Sequence, residues 1–381
     1  MITKSIIIRV LLDRIKLRMK DKKVLILYGP RQTGKTTILH ILSEALDTKI
    51  KWWNGDEPDH RIQLQNATST ELRSMIGDSK LVFIDEAQRI ENIGLSIKLI
   101  VDNVKDVKVI ATGSSAFELA NKISEPLTGR KWEFSLYPFS HKELAEHSSS
   151  EDERRLLKRR MIYGYYPDVV NNPGDESNLL RELADSYLYK DVLTWERIQK
   201  PEKLERLLQA LALQLGSEVS YNELAQICGI DNETVEKYIS LLEKAFIVFR
   251  LNSFSRNLRN ELKKSRKIYF YDNGIRNAVI SQFNPLELRL DAGQLWENFL
   301  ISGRLKMLSN TGVHMKRFFW RTSAQQEIDL IEETSGMISA YEFKWNIQKK
   351  ALISKAFTNA YPDAKILVVT PGNYEQFLSK P

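Results

Sequence analysis

Cysteine is almost missing: Cys228 is the single one among 381 residues. That excludes an intramolecular disulfide and a multi-thiolate metal site, and it suits a reducing compartment, so the cytoplasm is expected. No run approaches the ~18 apolar residues of a membrane span. The apolar start Ile6-Ile7-Ile8 is broken at once by Arg9, Asp13 and Arg14, and it reads as an amphipathic helix rather than a signal or anchor. Lipidation motifs, internal repeats and low-complexity tracts are also lacking, so no membrane partner is expected.

What is present is an ordinary globular composition, 43% hydrophobic and 28% charged, in a chain long enough for roughly two to three domains. The net charge of +7 is modest and matters only where it concentrates.

The apolar run 24–28 reads as a buried parallel strand and leads directly into Gly29-Pro30-Arg31-Gln32-Thr33-Gly34-Lys35-Thr36, a GxxxxGKT loop. Apolar residues at 38, 39, 41, 42 and 45 continue it as a helix. In that setting residues Gly29 to Thr37 form a nucleotide cradle: backbone amides wrap phosphates, Lys35 supplies a cation and Thr36 holds Mg²⁺. The run Leu81-Val82-Phe83-Ile84 ends in Asp85-Glu86, which places Asp85 on the same Mg²⁺ and Glu86 on the attacking water. A third strand ends at Thr112-Gly113-Ser114-Ser115, where Thr112 and Ser114 are γ-phosphate sensor candidates or plain turn residues. Lys35, Glu86 and Ser114 are the catalytic candidates. The segment Asn121-Lys122-Ile123-Ser124 lacks the Asp of a guanine-recognition element, which favours ATP. Arg130 is either an arginine finger or a surface ion pair.

Further on, helical patterns span about 177–198 and begin again at Pro201. Ser220 and Asp231 cap two helices with helix-turn-helix spacing, although Glu233 and Glu236 sit where a reading helix meets bases. From Arg250 to Arg276 there are eight basic residues against Glu261 and Asp272, a net +6. Arg256, Arg259, Lys263, Lys264, Arg266 and Lys267 therefore stand as candidate contacts to double-stranded DNA, against a solvated or domain-docking hairpin. Tyr269, Phe270 and Tyr271 fit a core as well as a stacking platform.

Near the C-terminus, Glu297 lies in an apolar helix. Strands at 327–332 and 337–345 flank a Ser335-Gly336 turn, which sets Asp329 opposite Glu342 and Glu327 opposite Lys344. Facing carboxylates repel unless a cation or a proton lies between them. Glu297, Asp329, Glu342 and Lys344 thus offer a second, Mg²⁺-dependent site for phosphodiester hydrolysis, or a wet ion-paired sheet face.

The order of these parts resembles a family of prokaryotic AAA-type P-loop ATPases with a C-terminal domain of unknown function. The resemblance runs through GPRQTGKT, LVFIDEAQ at 81–88, ATGSS at 111–115, LTGR at 127–130, YGYYPDV at 163–169 and YFYDNG at 269–274. The family's last domain is similar to restriction-endonuclease-like folds, whose acid helix, Asp strand and Glu-x-Lys strand match Glu297, Asp329 and Glu342-Phe343-Lys344. Gln325-Gln326 departs from the glycine-containing turn that related chains often carry there.

The expected fold is therefore α/β: a P-loop NTPase parallel sheet over 1–150, a helical lid over 151–204, a winged helix-turn-helix over 205–280, and an α/β restriction-endonuclease-like domain over 281–381. The resemblance implies ATP and Mg²⁺ as cofactors. It leaves two readings, a DNA-associated ATPase with a nuclease-like domain, and a nucleotide-switched ATPase that holds a protein partner or another copy of itself.

Overall fold

The computed structural model describes residues 6–114, 123, 126–185, 198, 200–254, 266–322, 324–348 and 353–380. The chain divides into two compact units, one of residues 8–138 with 244–246, the other of 1–7, 139–243 and 247–381. No described helix is long and apolar enough to cross a membrane.

The first unit is built on five parallel strands: β1 (Val24–Tyr28), β2 (Ile50–Asn54), β3 (Leu81–Asp85), β4 (Lys108–Gly113) and β5 (Lys131–Ser135), in the order β2-β3-β4-β1-β5. β1 and β3 are buried along their whole length, which is why their sequences are unbroken apolar runs rather than alternating ones. Leu25 and Leu27 pack with Ile38, Leu39 and Leu42 of the helix Lys35–Ala45 and with Phe83, Ile110 and Phe134. Each such side chain contributes about 1.5–3 kcal/mol of burial. The first helix starts at Leu11, later than the sequence suggests, because Ile6 to Arg9 run without helical structure and Arg9 is buried.

In the second unit one sheet carries seven strands: β6 (Glu218–Val219), β7 (Val248–Ser253), β8 (Arg266–Phe270), β9 (Lys316–Arg321), β10 (Glu327–Thr334), β11 (Met337–Phe343) and β12 (Lys365–Val369). Their order is β12-β11-β10-β9-β7-β8-β6. The helices Pro201–Leu213, Tyr221–Cys228 and Asn232–Lys244 precede or interleave with β6 to β8, and Ser220 and Asp231 cap the last two through the amides of Glu223 and Thr234. The expected boundary at 280/281 does not divide the sheet, because β7 pairs with β9 in parallel through Asn252–Phe318 and Ser253–Phe319. The hairpin register is as expected: Leu330 faces Tyr341, Glu332 faces Ser339, and Ser335 and Gly336 turn with φ of 51° and 81°.

The YGYYPDV and YFYDNG segments meet in this unit and fasten it. The helix Leu157–Tyr163 ends at Gly164, whose φ of 71° and ψ of −153° lie where only glycine is comfortable. The following amide, Tyr165 N–H, donates to buried Asp272 at 2.8 Å. The open carbonyls of that helix end are satisfied by Asn273 on Met161 O (2.9 Å) and Asn277 on Ile162 O (2.8 Å). Asn298, from the helix Ala292–Thr311, bonds both to Asn273 and to the Phe270 backbone. A Cβ at Gly164 would fall 1.8 Å from Asp272 Oδ1. Gly164→Ala should therefore cost at least ~1–3 kcal/mol, read as a lower urea midpoint at unchanged m-value.

Candidate functional site

At the C-terminal edge of the parallel sheet, the chain leaves β1 at Gly29, where a Cβ would lie 2.1 Å from Leu136 O, and enters the helix at Gly34 with φ 92°. The loop between is pinned from outside. Arg9 donates to Thr33 O and to Tyr137 O, both at 2.7 Å, and Thr33 Oγ1 donates to Pro30 O. Lys35 Nζ donates to Gly29 O and Pro30 O at 2.8 Å, so the ammonium rests on the loop's own backbone. Thr36 and Thr37 are exposed at the start of the helix.

β4 stands between β1 and β3, so three strand ends converge. Thr36 Oγ1 donates to Asp85 Oδ2 at 2.7 Å, and Thr112 Oγ1 donates to Asp85 Oδ1. Glu86 takes a left-handed conformation, φ 48° and ψ 42°, with its amide 3.2 Å from both Asp85 Oδ1 and Thr112 Oγ1. A strained non-glycine backbone of this kind is a mark of functional positions. Gly55 makes room for it, since a Cβ there would meet Glu86 O at 2.2 Å. Gln88 Nε2 donates to Glu86 Oε2 at 2.5 Å and to Ser114 Oγ at 2.9 Å. Of the two sensor candidates, Thr112 is thus committed to Asp85 and Ser114 to Gln88; Ser115 lies outside the described residues. Arg130 pairs with Asp102 at 3.2 Å, and its carbonyl accepts the amide of Val24, at the end of β1 opposite to the glycine loop. The ion pair is the arrangement present.

The C-terminal acids also converge. Carboxylate oxygens of Glu297, Glu327 and Asp329 lie within 4.8 Å of one another. Asp329 accepts the amide of Phe343 at 2.7 Å. Lys344, just past the end of β11, pairs with Glu342 at 2.6 Å rather than with Glu327, which instead contacts Lys267 and, at 3.6 Å, Arg321. Lys267 supplies a cation to the neighbouring acids Glu297 and Glu327. Its ammonium, 1% exposed, reaches Glu297 Oε1 at 3.1 Å as well as Glu327, and Tyr269 Oη donates to the same Glu297 oxygen. Burial, and then the charges of Glu297 and Glu342, push Asp329 well above the ordinary carboxyl range. Burial likewise raises Glu342, against the opposing pull of Lys344. The Oε2 of Glu342 is buried without a hydrogen-bond partner.

These contacts correct the reading of Lys267 as a DNA contact: it lies on the same face of β8 as buried Tyr269, and it neutralises acids. The other described members of the basic run are engaged too. Arg250 binds Glu243, Arg276 is buried on Asp291, and Arg266 lies over the Tyr221 ring, 3.8 Å from Glu236. Arg256, Arg259, Lys263 and Lys264 lie outside the described residues. Tyr269 and Phe270 belong to the core rather than to a stacking surface. Sequence reasoning missed Arg9 and Gln88 and misread Lys267. The alternation of Lys267 with Tyr269 was the signal available for the last, while Arg9 carried none.

Residues 21–145 match a family model described as an AAA domain. Residues 154–286 and 292–380 match two families described as domains of unknown function, DUF8612 and DUF4143. An uncharacterized protein of Mycobacterium tuberculosis is 26% identical over 373 residues, 96% of this chain and 80% of the relative. One from Methanocaldococcus jannaschii is 22% identical over 379 residues, 92% of this chain and 82% of the relative. Among solved structures, the RuvB Holliday junction branch migration motor of Thermotoga maritima aligns with 17% identity over 72% of this chain and 93% of its own, at a TM-score of 0.31. The Orc1 protein of Aeropyrum pernix in complex with DNA aligns with 13% identity over 71% and 91%, at 0.32. Superpositions this loose do not bear on function.

The raised Asp329 has a consequence for stability. Below the unfolded-chain value, near ~4, both states hold the proton and its burial costs nothing extra. As the pH rises from there towards the folded value, the unfolded chain releases its proton first, and stability is lost. Asp329→Asn, which keeps an acceptor for Phe343 N–H but cannot ionise, should be more stable than the parent at pH 7. Urea titrations between pH 4 and 8 should show that advantage shrinking towards pH 4.

Proposed function

We propose that residues 8–138 bind ATP with Mg²⁺ and hydrolyse it. The observation that carries this reading is the contact of Thr36 Oγ1 with Asp85 Oδ2, which brings the hydroxyl after the glycine loop onto the strand-end carboxylate. Two hard oxygen donors so placed suit Mg²⁺, which would draw charge from the phosphates as it develops. The backbone of 29–34 cradles the phosphates, and Lys35 exchanges its carbonyl partners for phosphate oxygens. Thr37 extends the helix N-terminus towards them. Glu86, beside Asp85, takes a proton from the attacking water.

For the rest of the chain, the reading best supported is a nucleotide-switched ATPase whose second unit holds a partner, with Glu297 and Glu327 paired internally to Lys267 and Glu342 to Lys344. The burial of Lys267 among those acids favours it. One observation supports the DNA-associated reading with metal-dependent cutting, namely the mutual closeness of the Glu297, Glu327 and Asp329 carboxylates. The order of helices and strands from 201 to 270 is compatible with a winged helix in either case.

Lys35→Ala should abolish binding of a fluorescent ATP analogue. Glu86→Gln should retain that binding while turnover falls ~10²–10⁴-fold; equal turnover would remove Glu86 as the base. ATP turnover measured with and without double-stranded DNA, in Mg²⁺ and then Mn²⁺ with the DNA followed on a gel, separates the two wider readings. Indifference to DNA and intact DNA are expected. Nicking that disappears in Asp329→Ala would establish the metal-dependent reading instead.

A further inference from the structure

Gln88 is buried on the short turn Ala87–Arg89 that follows Asp85-Glu86, and its side chain spans two strands. Its amide nitrogen has two hydrogens, and two acceptors stand within bonding distance: Glu86 Oε2 on the β3 side and Ser114 Oγ at the end of β4. A carboxylate only accepts, so the amide must face Glu86 with its nitrogen. The second hydrogen then makes Ser114 Oγ an acceptor, which turns the serine's own proton away from Gln88. Among the described residues that proton has no acceptor within hydrogen-bond distance.

The position of Ser114 says where the proton can go. Gly113 pairs with Tyr28, and its carbonyl accepts the amide of Gly29 at 3.3 Å, so Ser114 is one residue from the start of the glycine loop. A terminal phosphate held by that loop would supply such an acceptor. We infer that Gln88 is a positioning residue that couples the phosphate seen by Ser114 to the orientation of the Glu86 carboxylate. This rests on the reading of the site as one that hydrolyses ATP. With a γ-phosphate on Ser114 the three side chains form one line of hydrogen bonds, and Glu86 is held by one oxygen with the other open to water. With ADP the line has no terminus and the carboxylate loses that support.

Gln88→Met keeps the volume and removes both bonds. It should leave the KM for ATP and the affinity for ADP unchanged while kcat falls about 10²-fold, the size of loss that slight misplacement of a reacting group produces. Ser114→Ala should lower kcat as well, and the double variant should be no slower than the slower single one, because both break the same line. In a Glu86→Gln background, Gln88→Met should cost nothing more. A merely structural role would instead multiply the losses and shift the thermal midpoint. Gln88→Asn, which keeps the amide but withdraws it by one methylene, serves if the methionine variant does not fold, and the same loss of kcat at unchanged KM is expected. Parent-level kcat in the Gln88 variants, or multiplicative losses in the double variant, would overturn the coupling and leave the hydrolytic reading standing. A parent protein that binds ATP but does not turn it over would overturn both.

Discussion

A buried carboxylate has to be paid for by donors, and at Asp85 the donors come from three elements at once. Thr36 arrives from the helix behind the glycine loop, Thr112 from β4, and the amide of Glu86 from the turn beyond β3. None of them can drift without leaving charge unsatisfied in a dry setting, where that is costly. The sheet order makes the arrangement available, because β4 lies between the strand that feeds the loop and the strand that carries the acid. The left-handed backbone at Glu86 then follows from geometry: its amide must turn back onto Asp85 while its side chain continues towards Gln88.

The second unit solves an opposite problem, an excess of acid in a buried place, with a lysine from a distant part of the chain. Lys267 of β8 reaches Glu297 of the helix Ala292–Thr311 and Glu327 at the start of β10. Its charge is held firmly: burial opposes it, but the Glu297 and Glu327 charges outweigh burial and raise its affinity for the proton. A basic run that looks like a surface feature in the linear chain is thereby partly an internal one.

The glycine loop, the Asp85-Glu86 strand end and the β10–β11 register were legible in the sequence because each depends on residues close together in the chain. The turn at Ser335-Gly336 is an example: two residues with positive φ suffice to set every pair along the hairpin. Long-range pairing was not legible. Lys267 and Glu327 are 60 positions apart, and Arg9 and Tyr137 are 128 apart. Tyr163 to Val169 and Tyr269 to Gly274 stood out as motifs without a visible reason. The reason is Asp272, which closes the left-handed turn at Gly164 from more than 100 residues away.

The parallel contact of β7 with β9 also governs how this protein can be divided. Those two residue pairs are the stitching between strands β6 to β8 and strands β9 to β12. A fragment ended near residue 280 would keep β7 but strip one edge of its neighbour, leaving unpaired amides and carbonyls beside the apolar Val248, Phe249 and Leu251. Bare edges of that kind recruit other chains. Fragments cut there would associate through that edge, whereas a cut ahead of Phe139 leaves the seven-stranded sheet whole.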